Sequence, residues 1–268
     1  MEYKLIAIDM DGTLLNSKKE ISDRTYDAIQ KAKEKGIHIV LATGRLLRSA
    51  QFVAENLKLS NHILACNGAI IIDDKKVIYS RPMDLYGVEK VMSLGKKFNA
   101  YYHFYDESCL YSNTYVEKIV DYYQGRDQKI GIKIFKNDME ILNNKNLNIY
   151  KFLFIDNDLQ KLESIKEELT QVSKISVSKS WVNNLEVMDT EASKGLGLKF
   201  LCNELNISPE HVIAIGDNEN DISMINFAGL GVSMGNGEDI VKKQSNYITS
   251  SNDDDGVAKV IEKFILCR

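Results

Sequence analysis

Leu5-Ile6-Ala7-Ile8-Asp9-Met10-Asp11-Gly12-Thr13-Leu14-Leu15 is a short apolar run that drives straight into two aspartates and a glycine. A continuous run of four apolar residues fits a parallel strand covered on both faces. Towards the other end of the chain, Ile213-Ala214-Ile215-Gly216-Asp217-Asn218-Glu219-Asn220-Asp221 repeats the arrangement. In open parallel sheets the ligand site lies outside the carboxyl ends of the strands. If these two strands are neighbours, Asp9, Asp11, Asp217 and Asp221 converge on one small volume. Carboxylates brought together repel one another and need a cation, and oxygen-only ligands favour a hard one such as magnesium.

Working outward, Ser22 precedes an amphipathic stretch with Tyr26, Ile29 and Ala32 on one face, stopped by Gly36. Ile37 to Leu41 reads as the second strand, Leu46 to Leu57 as the second helix and His62 to Ala65 as a third strand. Asp73-Asp74 then separates Ile70-Ile72 from Val77-Tyr79, the pattern of a hairpin. The C-terminal part repeats the rhythm: helix from Lys194 to Leu205, strand from Val212 to Ile215, helix from Asp221 to Ala228. Strand Gly229 to Ser233, a helix near Val241, Tyr247-Ile248 and a last helix from Val257 follow. Such alternation predicts an α/β fold with a Rossmann-like, doubly wound parallel sheet as its core. Between these parts the pattern is mostly β, with two helices near 115–124 and 159–171. It predicts an inserted α+β cap over residues 83–188, the core being formed by 1–82 and 189–268.

The 268 residues exceed one average domain, and 44% hydrophobic with 27% charged residues is ordinary for a folded protein. Cys66, Cys109, Cys202 and Cys267 have neither metal-ligand nor redox spacing, which predicts reduced, mostly buried thiols. A net charge of −4 with no basic block argues against nucleic acid as a partner. The opening apolar run is too short for a signal peptide, and no run reaches the about eighteen apolar residues of a membrane span. The expectation is a soluble, cytoplasmic protein with no membrane partner; its oligomeric state is left open.

Asp9-Met10-Asp11-Gly12-Thr13-Leu14-Leu15 resembles the nucleophile motif of the haloacid-dehalogenase superfamily. The resemblance implies that Asp9, held by magnesium, attacks phosphorus and divides a difficult hydrolysis into two displacements. Asp11, two residues on, then serves as general acid and later as general base. Gly12 permits the tight backbone that turns both side chains to the phosphate. Leu41-Ala42-Thr43-Gly44-Arg45 falls where the family places its second motif. The Thr43 hydroxyl and the Gly44 amide can donate to phosphoryl oxygens just before a helix N-terminus. Arg45 fits either a phosphate contact or a pair with a nearby acid and is left outside the site.

Lys194, in the first turn of a helix capped by Ser193, opposes the helix dipole. A lysine aimed at a phosphate and a nucleophilic carboxylate offsets that by neutralising charge built in the transition state. Asp217 would ligate the metal, and Asp221 would stand behind it, ordering its waters or Lys194. Asn220 could donate to the phosphate, while Glu219 faces solvent. The set implied by the resemblance is therefore Asp9, Asp11 and Lys194 for catalysis, with Met10, Thr43, Gly44, Lys194 and Asn220 on the phosphate. Asp9, Asp11 and Asp217 are assigned to magnesium.

Asn67-Gly68-Ala69, Lys194-Gly195, Ala228-Gly229-Leu230-Gly231-Val232-Ser233-Met234-Gly235-Asn236 and Ser251-Asn252 with Asp255-Gly256-Val257-Ala258 look like the Cof-type subfamily. Its members carry a large α+β cap between the second and third motifs. The resemblance implies a phosphatase acting on sugar phosphates or related small phosphorylated metabolites. A phosphosugar mutase uses the same aspartyl-phosphate, and a regulatory protein that binds such metabolites without turnover would share the fold; sequence separates them poorly. A dehalogenase needs no acid at position 11. In the cap, alternation sends Tyr101, His103 and Tyr105 to one strand face and Tyr102 and Phe104 to the other. One face must pack on the cap's helices, and the other could look toward the site.

Overall fold

The computed structural model describes residues 2–56, 58, 62–126, 130–180 and 182–267. The chain begins β1 (Leu5–Ile8), α1 (Asp23–Glu34), β2 (His38–Ala42), α2 (Leu47–Asn56), β3 (His62–Ala65), β4 (Ile70–Asp73) and β5 (Lys76–Ser80). It continues α3 (Leu85–Lys97), β6 (Tyr102–Tyr105), β7 (Cys109–Ser112), α4 (Glu117–Arg126), β8 (Gly131–Ile134) and α5 (Asp138–Leu142). Then come β9 (Lys151–Ile155), α6 (Leu159–Leu169), β10 (Ile175–Ser178) and β11 (Asn184–Asp189). The chain closes with α7 (Lys194–Glu204), β12 (Val212–Gly216), α8 (Ile222–Phe227), β13 (Leu230–Ser233), α9 (Asp239–Gln244), β14 (Tyr247–Ile248) and α10 (Gly256–Ile261). Leu57, where the sequence pattern ends the second helix, lies outside the described residues.

Among the described residues, eight strands form one sheet in the order β14-β13-β12-β1-β2-β3-β4-β5. Neighbours from β14 to β3 are parallel, and the β3–β4 and β4–β5 pairs are antiparallel. The alternation of strand side chains explains why both faces are covered. Ile6, Ile8, Ile39, Leu41 and Ile215 point to a core shared with Ala28 and Ile29 of α1, Ala50 of α2 and Val257 of α10. Leu5, Ala7, Val40 and Ala214 point the other way, to Leu198 and Leu201 of α7 and Met224 of α8. Each fully buried isoleucine or leucine here contributes about 1.5–3 kcal/mol relative to exposure. This is the doubly wound α/β arrangement that the sequence predicts. Its strand order reverses at β1, which has β2 on one side and β12 on the other.

Six described strands form the second sheet, β10-β11-β9-β6-β7-β8, antiparallel except for the β7–β8 pair. One face is a separate core of Tyr102, Phe104, Phe152, Phe154, Leu185 and Val187, closed by α3, α5 and α6. The opposite face turns to the first sheet, and Tyr105, Leu110, Leu153 and Met188 join its core. Between the sheets the chain crosses twice, and Arg81 ties the crossings together by donating to Asp189 at 3.2 Å and pairing with Glu191.

Four described helices lie in this middle segment where the sequence pattern suggests two. The extra ones are α3 and α5. Helix α3 carries Gly87 and Gly95, which weaken a helical reading. The tertiary reason for Gly95 is contact: a Cβ there would lie 2.4 Å from the Tyr102 ring. Its usable signal was the cap, since Asp84 accepts the Gly87 N–H at 2.8 Å ahead of buried Val88, Val91 and Met92. Cys66 and Cys202 are buried, but Cys109 is half-buried and Cys267 exposed, so the thiols are less enclosed than the sequence suggests. No helix among the described residues is long and apolar enough to cross a membrane.

Candidate active site

Asp9 directly follows β1 and Asp217 directly follows β12, so the pairing of these strands sets the two carboxylates side by side at the switch point. The Asp9 N–H donates to the Ile215 carbonyl at 3.0 Å, which continues the ladder one residue past β1. Gly12 then turns the chain with φ +85°, a left-handed conformation that favours glycine. Any side chain there would also strike Asp217, whose Oδ2 lies 2.4 Å from an ideal Cβ. Thr13 donates its hydroxyl to Asp217 Oδ1 at 2.7 Å, and Asn236 donates to the Gly12 carbonyl at 2.8 Å. Both ends of the loop are thereby held.

Lys194 opens α7, whose first turn is capped by Ser193 accepting the Leu196 N–H at 3.2 Å. Its side chain is wholly buried, with Nζ 2.6 Å from Asp9 Oδ1 and 2.5 Å from Asp221 Oδ1. Burial alone would lower the lysine pKa, but the Asp221 and Asp9 carboxylates outweigh it and hold the ammonium well above its usual range. Oxygens of Asp9, Asp217 and Asp221 lie within 4.8 Å of one another. Burial pushes Asp9 well up, against Lys194, and the neighbouring Asp221 and Asp217 add to the rise. Asp217 is raised to about 7, by burial first and then by Asp221. Three carboxylates against one ammonium leave negative charge in excess in a desolvated place, the condition a hard dication relieves.

The three do not stand alike. Asp221 Oδ1 already accepts from Lys194, and its Oδ2 accepts the N–H groups of Asp217 and Asn218 at 2.9 and 3.0 Å. Asp11, assigned to the metal by the sequence reading, does not join the cluster with its side chain. Its carboxylate is turned to Arg45, which donates Nε–H and Nη2–H to it at 2.8 Å each, with Lys19 Nζ 3.6 Å away. Arg45, left out by the sequence reading, is therefore part of the site. The clue was its position directly after Thr43-Gly44, with an acid two residues beyond Asp9.

Thr43, Gly44, Arg45, Asn220, Asp9 and Asp11 all border one cavity. The Thr43 hydroxyl oxygen accepts the Arg45 N–H at 3.1 Å, which shapes the loop after β2. Two phosphate assignments change in detail. The Met10 side chain is fully buried in the apolar core, which leaves only its main chain for a ligand. Asn220 donates its amide to Asn67 Oδ1 at 3.0 Å instead of into the cavity, and its Oδ1 is buried with no partner among the described residues.

A family model for haloacid dehalogenase-like hydrolases matches residues 6–261, nearly the whole chain. The chain belongs to the haloacid dehalogenase-like hydrolases. The 5-amino-6-(5-phospho-D-ribitylamino)uracil phosphatase YcsE of Bacillus subtilis is 34% identical to this hydrolase, over 99% of this chain and 97% of its own. A haloacid dehalogenase-like hydrolase from Bacteroides thetaiotaomicron superposes with a TM-score of 0.87 at 34% identity, covering 98% of this chain and all of that one. One from B. subtilis reaches 0.91 at 28% identity, over 98% and 100%. With relatives named as phosphatases along its full length, the hydrolase is an enzyme of the phosphatase kind.

The second sheet supplies the other wall of the cavity, with residues the sequence reading did not find. Lys151 of β9 and Glu186 of β11 are only 2% and 4% exposed. Lys151 Nζ donates to the Gly44 carbonyl at 2.6 Å and to Glu186 Oε1 at 3.1 Å. Glu186 also accepts from Ser180 at 2.9 Å and from Asn67 at 2.8 Å. Burial would raise Glu186, but Lys151 with the Ser180 and Asn67 hydrogen bonds holds its carboxyl below the usual glutamate range. Tyr105 borders the cavity from β6, while Tyr102 and Phe104 pack into the helix-covered core. His103 lies between the Tyr101 and Tyr105 hydroxyls at 3.0 and 3.2 Å, and burial, with Lys151 nearby, lowers it to about 3, so its ring is neutral.

Proposed function

We propose that this hydrolase is a magnesium-dependent phosphatase that acts on small phosphate monoesters through an aspartyl-phosphate on Asp9. One observation carries the reading. Asp9 directly follows β1 at the switch point, with Oδ1 2.6 Å from Lys194 Nζ, in a buried cluster whose other acids are Asp217 and Asp221. The all-oxygen donor set fits a hard dication, with Asp9 and Asp217 holding it and Asp221 bracing Lys194 and the Asp217 backbone. Bound magnesium would neutralise charge on the phosphoryl oxygens and the attacking carboxylate.

In the first displacement an Asp9 oxygen bonds to phosphorus as the bond to the leaving oxygen breaks, and Asp11 gives that oxygen a proton. In the second, Asp11 takes a proton from water as the water oxygen bonds to phosphorus, and the Asp9–phosphorus bond breaks. Asp11 must turn from Arg45 for these transfers, because protonation removes the charge that holds the pair. Lys194, Thr43, Gly44, the Met10 main chain and Asn220 bind the phosphoryl oxygens, the last with the amide N–H that it does not give to Asn67. Residues 83–188 act as the cap that selects the leaving group. The ribitylaminouracil phosphate named for a relative is a first candidate substrate, and a cytoplasmic setting suits such metabolites.

The test is phosphate release from a broad panel of phosphorylated metabolites with magnesium or with chelator, using wild type and Asp9→Asn. Magnesium-dependent release that vanishes in a folded Asp9→Asn protein is expected. Release unaffected by that substitution would overturn the mechanism.

A further inference from the structure

Asn67 is where three parts of this hydrolase meet. It sits in the short turn after β3 with φ +53° and ψ +37°, the left-handed region that asparagine enters more readily than most residues. Cys66 before it and Gly68 after it also have positive φ, so the backbone is bent to one purpose over three residues. The Asn67 N–H donates to the Thr43 carbonyl at 2.9 Å. The residue is 4% exposed; Nδ2 donates to Glu186 Oε2 at 2.8 Å, and Oδ1 accepts from Asn220 Nδ2 at 3.0 Å. Glu186 in turn holds Lys151, which donates to Gly44.

These bonds link the second sheet to both loops that border the phosphate end of the cavity, at Thr43-Gly44 and at Asn220. Asn67 itself is not among the residues bordering the cavity. We propose that Asn67 is a positioning residue that couples the seating of the cap to the two phosphate-reading loops. The inference rests on the function proposed above. The chemistry of the carboxamide is specific: Glu186 needs a donor, Asn220 needs an acceptor, and the backbone needs a residue at ease in the left-handed region. Aspartate lacks the donor and glycine lacks both. With Asn67 absent, the Asn220 amide and one Glu186 oxygen lose their buried partners, and the cap no longer reports its position to either loop.

The experiment measures kcat and KM for phosphate release from p-nitrophenyl phosphate, with the melting temperature, for five proteins. These are wild type, Asn67→Gly, Asn67→Asp, Glu186→Gln and the double variant Asn67→Asp with Glu186→Gln. Glycine keeps the left-handed backbone and removes only the side chain. Asn67→Gly is expected to stay folded at the assay temperature, melting lower because two buried groups lose their partners, with kcat lowered about 10–100-fold and KM changed by less than about 3-fold. Asn67→Asp sets a carboxylate against Glu186 and lowers kcat further. The double variant reverses the polarity of the pair, with the new amide at 186 donating to the new carboxylate at 67, and keeps the net charge. It is expected to recover to within about 10-fold of wild type. Wild-type kcat in Asn67→Gly, or a double variant no faster than Asn67→Asp alone, overturns the inference while the phosphatase reading stands. A wild-type protein that releases no phosphate overturns that reading, and the inference with it.

Discussion

On the core side of the cavity, Asp9, Thr43 and Asp217 each directly follow a parallel strand, so the strand ladder fixes where they emerge, although Asp9 and Asp217 take their side-chain partners from Lys194 and Thr13 far along the chain. On the opposite side, Lys151, Glu186 and Tyr105 lie within strands of the second sheet and not after a strand end, and Lys151 and Glu186 reach across to loops of the first sheet. Lys151 reaches Gly44 across 107 residues, and Glu186 meets Asn67 across 119. The core wall repeats one device, a parallel strand followed directly by a polar residue. The wall from the second sheet places a buried ion pair, Lys151 with Glu186, at the cavity. A buried pair is weak support for stability, so its place at the cavity argues for a role in selection and closure.

Variants on the two walls should therefore fail differently. The largest effect is expected on the core side: Asp9→Asn should lose on the order of 10⁴-fold or more in kcat, with an unchanged far-ultraviolet spectrum. Near-normal turnover would erase the distinction between the walls.

Next, Lys194→Ala should slow turnover by about 10²–10³-fold yet retain magnesium binding, whereas Asp217→Ala should lose it. Thermal shift reads this without activity: magnesium at about 100 times its Kd should stabilise wild type by about 2.7 kcal/mol. The same shift should persist in Lys194→Ala and disappear in Asp217→Ala. Equal loss in both would show that the lysine and the aspartate do one job.

On the cap side, Lys151→Ala should act first on stability, lowering it by about 3–5 kcal/mol because Glu186 stays buried and unpaired. Lys151→Met with Glu186→Leu should lower it much less, while preference among phosphorylated substrates changes. A double variant with wild-type preference would remove the pair from selection.

The smallest effect is in pH. Glu186 is held below the ordinary 4.5 of a glutamate, so its stabilising contribution is present above about 4.5 and is lost as pH falls through the depressed value. Comparing melting temperatures of wild type and Glu186→Gln between neutral pH and pH 4 should show the wild type losing more. Parallel curves would mean that the carboxylate is not held ionised by its partners.

The four-residue run Leu5–Ile8 and its echo before Asp217, with the strand–helix alternation around them, were enough to read a doubly wound sheet, because a strand covered on both faces is apolar at every position. The same two segments would bring Asp9 and Asp217 together if their strands were neighbours, and β1 pairs with β12. Helix α3 escaped that reading because Gly95 answers to the Tyr102 ring, a contact between elements and not a local preference. Arg45 was visible but undecided: sequence offered a phosphate or an acid, and only the approach of the loops after β1 and β2 turned it to Asp11.

By itself, then, the sequence determined the core sheet and the order of acids along its edge, because apolar periodicity and strand ends are properties of short stretches of chain. Tertiary structure alone decided the Asp11–Arg45 pair, the amide contact between Asn67 and Asn220, and the Lys151–Glu186 wall. Those choices depend on which side chains meet in a buried place where every charge and donor must find a partner, and the partners come from segments that sequence leaves tens to hundreds of residues apart.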